Sequence, residues 1–332
     1  MSEARFDVVG IGSAIVDVLA HAEDVFLSKH DASKGTMLMV DENQSEALYK
    51  DIGPAIEASG GSAANTMAGI ASFGGKPAFI GKTMDDQLGG IFAHDIRAVG
   101  VHYDTEPLSD GLATARCIIL VTPDAQRTMF TYLGASGSLS AADMDEELIA
   151  SSKVLYIEGY QWDLPETKKA IIRACETATK SGGKVALTLS DPFVVERHRN
   201  DLFDLVNEYV DIVFANEQEI TTLFLSNSFD EAVEAVEAVG GRVEVAALTR
   251  GAEGAVTVTK ESLINTPAMP AGKVVDTTGA GDLYAAGFLF GYTRGDDLKT
   301  CANLGALAAG EVICHLGARP EVSLKDLDVK LD

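Results

Sequence analysis

Lys153-Val-Leu-Tyr-Ile-Glu-Gly159 is an apolar run of strand length, and Lys184-Val-Ala-Leu-Thr-Leu-Ser190 is a second. Pro165 to Ser181, between them, reads as a helix opened by proline, which suits a first helical turn. The alternation continues. Residues 199–208 predict helix, Val210–Ala215 strand, 217–225 helix, 231–239 helix with Asp230 as N-cap, and 243–249 strand. Strands separated by helices make βαβ units, so this order predicts an α/β domain with a mainly parallel sheet. Phe6-Asp-Val-Val-Gly-Ile-Gly12 adds a buried strand and turn at the start. The small-residue segments 62–73, 280–291 and 300–315 read as buried helices.

Working outward, the early chain has a different rhythm. Residues 35–41, 115–122 and 127–133 are strand-like, with no helix between the last two. Pro123-Asp-Ala-Gln126 predicts a hairpin turn joining them. In 127–133, Thr128, Phe130 and Tyr132 alternate with Met129, Thr131 and Leu133. These segments predict a small separate sheet.

The chain has 332 residues, with 46% hydrophobic and 23% charged, an ordinary globular composition. Fifty acidic against 26 basic residues give a net charge of −24, which argues against nucleic acid or an anionic membrane surface as partner. A small anionic ligand stays open, because backbone N–H groups bind phosphate without Lys or Arg. Four scattered cysteines suit a reducing, cytoplasmic setting. The first residues lack a signal-peptide pattern, and no charge-free apolar run reaches the length of a membrane span. The six dispersed histidines, without H-E-x-x-H, do not suggest a metal held by His and Cys.

Two glycine motifs are weak. Gly10-Ile-Gly-Ser-Ala-Ile15 lacks the third glycine of a dinucleotide fingerprint, so it reads as a tight turn. Gly81-Lys82-Thr83 lacks a glycine at position 76 and follows the strand-like Pro77-Ala-Phe-Ile80, so it is not a Walker loop. Gly60-Gly-Ser-Ala-Ala-Asn-Thr66 says more. Its glycines allow close backbone approach to a ligand, and Asn65 falls in the first turn of the following helix. A flexible loop before a core helix is the plainer reading of that segment. Asp17 sits in the otherwise apolar Ala14-Ile-Val-Asp-Val-Leu-Ala20, as a turn residue or as a ligand contact.

Asp276-Thr-Thr-Gly-Ala-Gly-Asp282 carries the strongest signal. Its glycines let consecutive N–H groups form an anion nest at a helix N-terminus. A carboxylate at that terminus is either an N-cap or a proton acceptor beside a transferring phosphoryl group. Asn216-Glu-Gln-Glu219 opens a helix after a strand, either as an acidic first turn or as a holder of Mg²⁺ waters. Thr249-Arg-Gly-Ala-Glu-Gly254 is a glycine turn at a sheet edge of the kind that binds nucleotides.

Together these segments resemble the ribokinase-like (PfkB) carbohydrate and nucleoside kinases, from about residue 6 to 320. The signatures are Gly60 to Lys82 and Asp276 to Leu289. The resemblance implies a single Rossmann-type α/β/α sandwich domain over 1–332. A small β-sheet lid would come from insertions at about 14–42 and 102–135. It implies ATP-dependent phosphorylation of a primary hydroxyl. Asp282 would be the general base, with the N–H groups of Gly279, Ala280, Gly281 and Asp282 as anion hole. Asn216 and Glu219 would organise Mg²⁺ and phosphates. Thr249, Gly251, Gly254 and Asn303 would bind ATP, and Asp17, Gly61 and Asn65 would hold sugar hydroxyls. Asp276 and Thr278 are candidates for the K⁺ site that some members carry.

Within the family, the Ser-Ala-Ile-Val-Asp17 stretch, Gly-Gly-Ser-Ala-Ala-Asn65 and Tyr156-Ile-Glu-Gly-Tyr160 resemble bacterial adenosine-kinase-like proteins. That implies adenosine as acceptor, its base enclosed by Tyr160, Ile15, Met37 and Met39. A sugar kinase acting on ribose, fructose or ketodeoxygluconate is the alternative, and a non-catalytic nucleoside-binding protein is a third reading. Ser13 and Glu158 depart from the adenosine-kinase pattern. The partners expected are a small-molecule acceptor and ATP, in a monomer or homodimer.

Overall fold

A computed structural model describes residues 4–124, 126–238 and 241–328. Its strands are β1 (Phe6–Ile11), β2 (Ile15–His21), β3 (Met37–Met39), β4 (Ala55–Gly60), β5 (Pro77–Ile80), β6 (Ala115–Val121), β7 (Arg127–Tyr132), β8 (Ser152–Glu158), β9 (Lys184–Thr188), β10 (Ile212–Asn216), β11 (Val245–Thr249), β12 (Ala255–Val258) and β13 (Leu263–Thr266). The large sheet runs β13-β12-β11-β10-β9-β8-β1-β5. It is parallel from β5 to β11, and the last two strands are antiparallel. This is the α/β class with the mainly parallel sheet expected.

Side chains alternate across a strand, and here each face meets its own helix layer. Val8, Val154, Tyr156, Ile212 and Phe214 join one core with the helices Ser62–Ser72, Ala280–Arg294 and Leu298–Val312. Their neighbours Val9, Leu155, Ile157 and Val213 join a second core with Pro165–Lys180, Pro192–Glu208 and Glu217–Phe224. Both faces are covered, which is why these strands read as continuous apolar runs.

The small sheet runs β3-β7-β6-β2-β4. Segments 14–42 and 102–135 supply four of its strands. The fifth, β4, lies outside both and pairs antiparallel with β2. The β6–β7 hairpin forms as the turn chemistry predicts. Its Phe130 enters the core, and Met129, Thr131 and Leu133 face a cavity. Between β3 and β4 a helix, Glu42–Asp51, is closed by an Asp41/Gln44 capping box.

Two local readings need correction. The helix expected over 231–239 runs Phe229–Ala238, and Ser228 rather than Asp230 accepts an N–H bond, from Glu231; position 239 lies outside the described residues. The helix expected from 199 starts at Pro192, with a kink at His198. No helix among the described residues is long and apolar enough to cross a membrane.

Candidate active site

The carboxyl ends of β8, β9, β10 and β11 open onto a cavity of about 700 Å³, lined there by Glu158, Thr188, Asn216 and Thr249. The small sheet closes its other side with Ile15, Asp17, Met39, Cys117 and Met129. Ligands in α/β folds bind at this edge of the sheet. The N-termini of Ser62–Ser72 and Ala280–Arg294 both point into it, through Ser62 and Gly279 to Asp282.

Gly279 is the N-cap of its helix, at φ 76°, and a Cβ there would sit 2.7 Å from Ala318 Cα. Only glycine fits that approach. Asp282, three residues on, is therefore not the cap. Its Oδ1 accepts from the Ser62 hydroxyl at 2.7 Å and its Oδ2 from Asn65 Nδ2 at 3.1 Å. Burial pushes its carboxyl up to about 6, against the two donors, which favour the charged form. A carboxylate poised near neutrality beside first-turn N–H groups can accept a proton where negative charge is stabilised. The Ala280 N–H bends back to the Thr277 carbonyl at 3.2 Å.

Asp17, on β2, accepts no side-chain hydrogen bond among the described residues. Burial raises its carboxyl to about 6, while Arg319 and then Arg127 pull the other way. Gly61 has φ 94°, and a Cβ there would lie 2.3 Å from the Ser13 carbonyl, so the turn beside Asp17 also demands glycine.

Glu158, which stood out as unusually acidic, is 1% exposed. It accepts from the backbone N–H groups of Ser13 at 2.8 Å and Ala63 at 2.9 Å, and from Gln161 Nε2 at 2.9 Å. Its charge ties the β1–β2 turn, the Ser62 helix and the end of β8 together. Tyr160 lies just beyond, its hydroxyl donating to the Ser190 carbonyl at 3.3 Å. Ile15, Met37, Met39 and Tyr160 line the same cavity.

On the other side, Asn216 and Glu219 form a reciprocal capping box. Asn216 Oδ1 accepts from the Glu219 N–H at 2.8 Å, and Glu219 Oε2 accepts from the Asn216 N–H at 2.9 Å. Both line the cavity, and burial lifts the Glu219 carboxyl to about 7, with Asp191 and Asp282 adding to the rise. The pair therefore caps a helix and faces the site at once. Magnesium keeps most of its waters and leans on one or two carboxylates plus phosphates, so this donor set fits contact through water. Gly251, Gly254 and Asn303 are not among the cavity's lining residues, whereas Thr249 is.

The K⁺ position expected at Asp276 and Thr278 meets a different occupant. Arg127 reaches across from β7, its Nη1 lying 2.6 Å from Asp276 Oδ1 and donating to the Thr278 hydroxyl. Asp276 also accepts from the N–H groups of Thr278 and Gly317, both at 3.0 Å. With the guanidinium supplying the positive charge, this arrangement does not fit a monovalent ion on Asp276. Lys82, from the apparent Walker remnant, is buried and paired with Asp143 at 2.5 Å, away from any phosphate role.

The structure thus brings Asp282, Gly279, Ala280, Gly281, Asp17, Gly61, Asn65, Asn216, Glu219 and Thr249 to one cavity. Ser62, Arg127 and Arg319 are additions that sequence reasoning missed. A helix N-terminus facing a partly desolvated carboxylate under a small sheet suits phosphoryl transfer to an alcohol group. The chain belongs to the pfkB family of carbohydrate kinases, whose model matches residues 55–324.

Its fold is ribokinase-like. An adenosine kinase structure from Sinorhizobium meliloti is 48% identical, covering 99% of this chain and 100% of that one, with a TM-score of 0.91. A probable sugar kinase from Rhizobium etli CFN 42 is 46% identical, covering 99% of both chains, with a TM-score of 0.92. The adenosine kinase of Saccharomyces cerevisiae is 26% identical over 93% of this chain and 95% of its own length.

Proposed function

We propose that this chain transfers the γ-phosphate of ATP to the 5′-hydroxyl of adenosine. The observation that carries the reading is the union, in one cavity, of an apolar slot with an aromatic wall and the Asp17–Asp282 carboxylates. A purine needs an apolar, aromatic-faced slot, whereas a bare sugar needs mainly hydroxyl partners. Ile15, Met37, Met39 and Tyr160 supply that slot beneath the small sheet. Asp17 and Asn65 then face the ribose hydroxyls, and the 5′-hydroxyl points toward Asp282.

Asp282 accepts the hydroxyl proton as the oxygen attacks in line. Ser62 and Asn65 hold its carboxylate ready through their donated hydrogen bonds. The N–H groups of Gly279, Gly281 and Asp282 offset the charge gathering on the transferred group, while that of Ala280, expected to join them, is taken by the Thr277 carbonyl. Glu219 and Asn216 face the phosphates and the waters around Mg²⁺, which when bound neutralises part of their charge.

Similarity to the Rhizobium etli probable sugar kinase favours a second reading, a bare sugar as acceptor in the same geometry. An ATP-consumption screen over adenosine, other nucleosides, ribose, fructose and ketodeoxygluconate separates the two. The expected result is adenosine turned over with the highest kcat/KM. Efficient turnover of a sugar with adenosine inert would overturn the nucleoside reading and leave the kinase reading standing. Tight nucleoside binding with no phosphate transfer to any acceptor would point to a binding protein.

A further inference from the structure

Arg319 lies beyond the signatures of the site, in Gly317-Ala-Arg-Pro320 near the end of the described chain. Its Nη1 donates to the Ser59 hydroxyl on β4 at 2.6 Å, and its Nε donates to Asn65 Oδ1 at 3.3 Å. Its Nη2 is buried with no hydrogen-bond partner among the described residues. It is absent from the cavity lining, although its neighbour Ala318 is present. The guanidinium therefore stands behind the wall, between the lid strand, the Ser62 helix and the C-terminal segment.

Two consequences follow from donor and acceptor chemistry. Arginine only donates, so it fixes which end of the Asn65 amide faces it. With Oδ1 turned to Arg319, the Nδ2 must face Asp282, and that is the bond present, at 3.1 Å. The second consequence is electrostatic. Asp17 has no hydrogen-bonding partner among the described residues, so its charge depends on groups acting through space. We propose that Arg319 is a positioning residue of the acceptor half, holding Asn65 in the orientation that serves Asp282 and placing a positive charge behind the cavity wall on the side of Asp17. This rests on the proposed roles of Asp17 as acceptor ligand and Asp282 as base.

The charges around the pair come from several elements. Asp17 feels Arg319 from the C-terminal segment, Arg127 from β7 and Asp282 from its helix. Cys117 lies beside it in register on β6, its thiol pushed up to about 12 by burial first and Asp17 second. Arg319 is itself lowered to about 10 by burial, with Asp17 and Asp95 opposing. Asp95 is occupied by the Ser59 N–H at 3.1 Å. Arg319 and Arg127 both pull the Asp17 carboxyl down, Arg319 the more strongly, while Arg127 spends its Nη1 on Asp276.

The test is a pH series of acceptor KM for wild type, Arg319→Ala and Arg319→Lys, at saturating ATP from pH 6 to 9. An opposite charge nearby lowers a carboxyl by about one to three pKa units. Removing Arg319 should therefore raise the adenosine KM about tenfold at pH 7, with most of the rise fading toward pH 9 and a remainder that does not fade left by the misoriented Asn65. ATP KM should stay within about twofold throughout, and Arg319→Lys should keep the wild-type pH profile, since it keeps the charge.

A rise in KM of the same factor at every pH, an equal rise for ATP, or identical profiles for the Lys and Ala variants would each overturn the proposal. If the alanine variant fails to fold, Arg319→Gln replaces it, removing the charge and keeping a donor. Wild-type turnover on adenosine is read first and judges the proposed function alone. The variants are then assayed with whichever acceptor the screen ranks highest, so a wrong acceptor and a wrong role for Arg319 give different results.

Discussion

The two halves of the cavity are built from different materials. The acceptor half proposed here is made of side chains: Asp17, Asn65 and Asp282, with Ser62, Arg127 and Arg319 around them, brought from five separate segments. The donor half proposed here is built from groups close together in sequence: the first turn at Gly279, the reciprocal Asn216–Glu219 cap and the strand end at Thr249. Phosphates are alike in every nucleotide, and N–H groups read them adequately. An acceptor has to be distinguished from similar molecules, and that takes polar groups in fixed places. The cost shows in Asp17 and Asp282, both held near 6 by burial, well above an ordinary aspartate.

The largest break in this contrast comes from Asp282→Asn. It removes the proposed base and leaves the donor half alone, so kcat should fall by about 10²–10⁴-fold with ATP KM little changed. Steady-state kinetics with both substrates varied checks this. Activity within about threefold of wild type would show that another group takes the proton.

Asp17→Ala comes next. A charge-assisted hydrogen bond contributes about 1.5–3 kcal/mol, so acceptor KM should rise about 10–100-fold while ATP KM holds. Equal rises for the two substrates would mean that the halves are not independent.

Tyr160→Ala sharpens the choice of acceptor. Loss of an aromatic face should weaken adenosine by about 1–3 kcal/mol and leave a bare sugar's weak turnover nearly unchanged. Isothermal titration with adenosine, beside sugar kinetics, reads both.

The smallest effect concerns stability. The native Asp17 carboxyl is raised from 3.8 to about 6, so the folded state binds its proton more tightly than the unfolded chain does. The ionised group therefore destabilises the fold fully above about pH 6 and not at all below the unfolded value. The isosteric Asp17→Asn should raise Tm by about 2–4 °C at pH 7.5 and leave it unchanged near pH 3.5. A gain of equal size at both pH values would show that burial of the charge is not the cause.

The same contrast explains what could be read in advance. The parallel part of the large sheet was legible because β1, β5 and β8 to β11 are local apolar runs, whereas the short antiparallel β12 and β13 gave no such run and were not expected. The helix starts at Gly279 and Asn216 were legible for the same reason, since their signals lie within three residues, although the reciprocal Asn216–Glu219 bonds were not expected. The acceptor half is assembled from afar. Ser62 meets Asp282 across 220 positions, Arg127 meets Thr278 across 151, and Arg319 meets Asn65 across 254.

No period or spacing announces such pairs, although a lone arginine after Gly-Ala in a strongly acidic chain was a usable hint. The Asp41/Gln44 box that starts the 42–51 helix was also readable. The K⁺ expectation failed for a related reason. Asp276 and Thr278 are local, but the arginine that occupies them arrives from another sheet.

In the function proposed here, the charged, side-chain-built half selects a nucleoside and deprotonates its 5′-hydroxyl. Product analysis of the wild-type protein with ATP and adenosine tests it most directly, with 5′-deoxyadenosine as a parallel ligand. The expected products are 5′-AMP and ADP in equal amounts, and 5′-deoxyadenosine should bind competitively without being phosphorylated. An absence of nucleotide product from adenosine, under conditions where ribose, fructose or ketodeoxygluconate is phosphorylated efficiently, would contradict it.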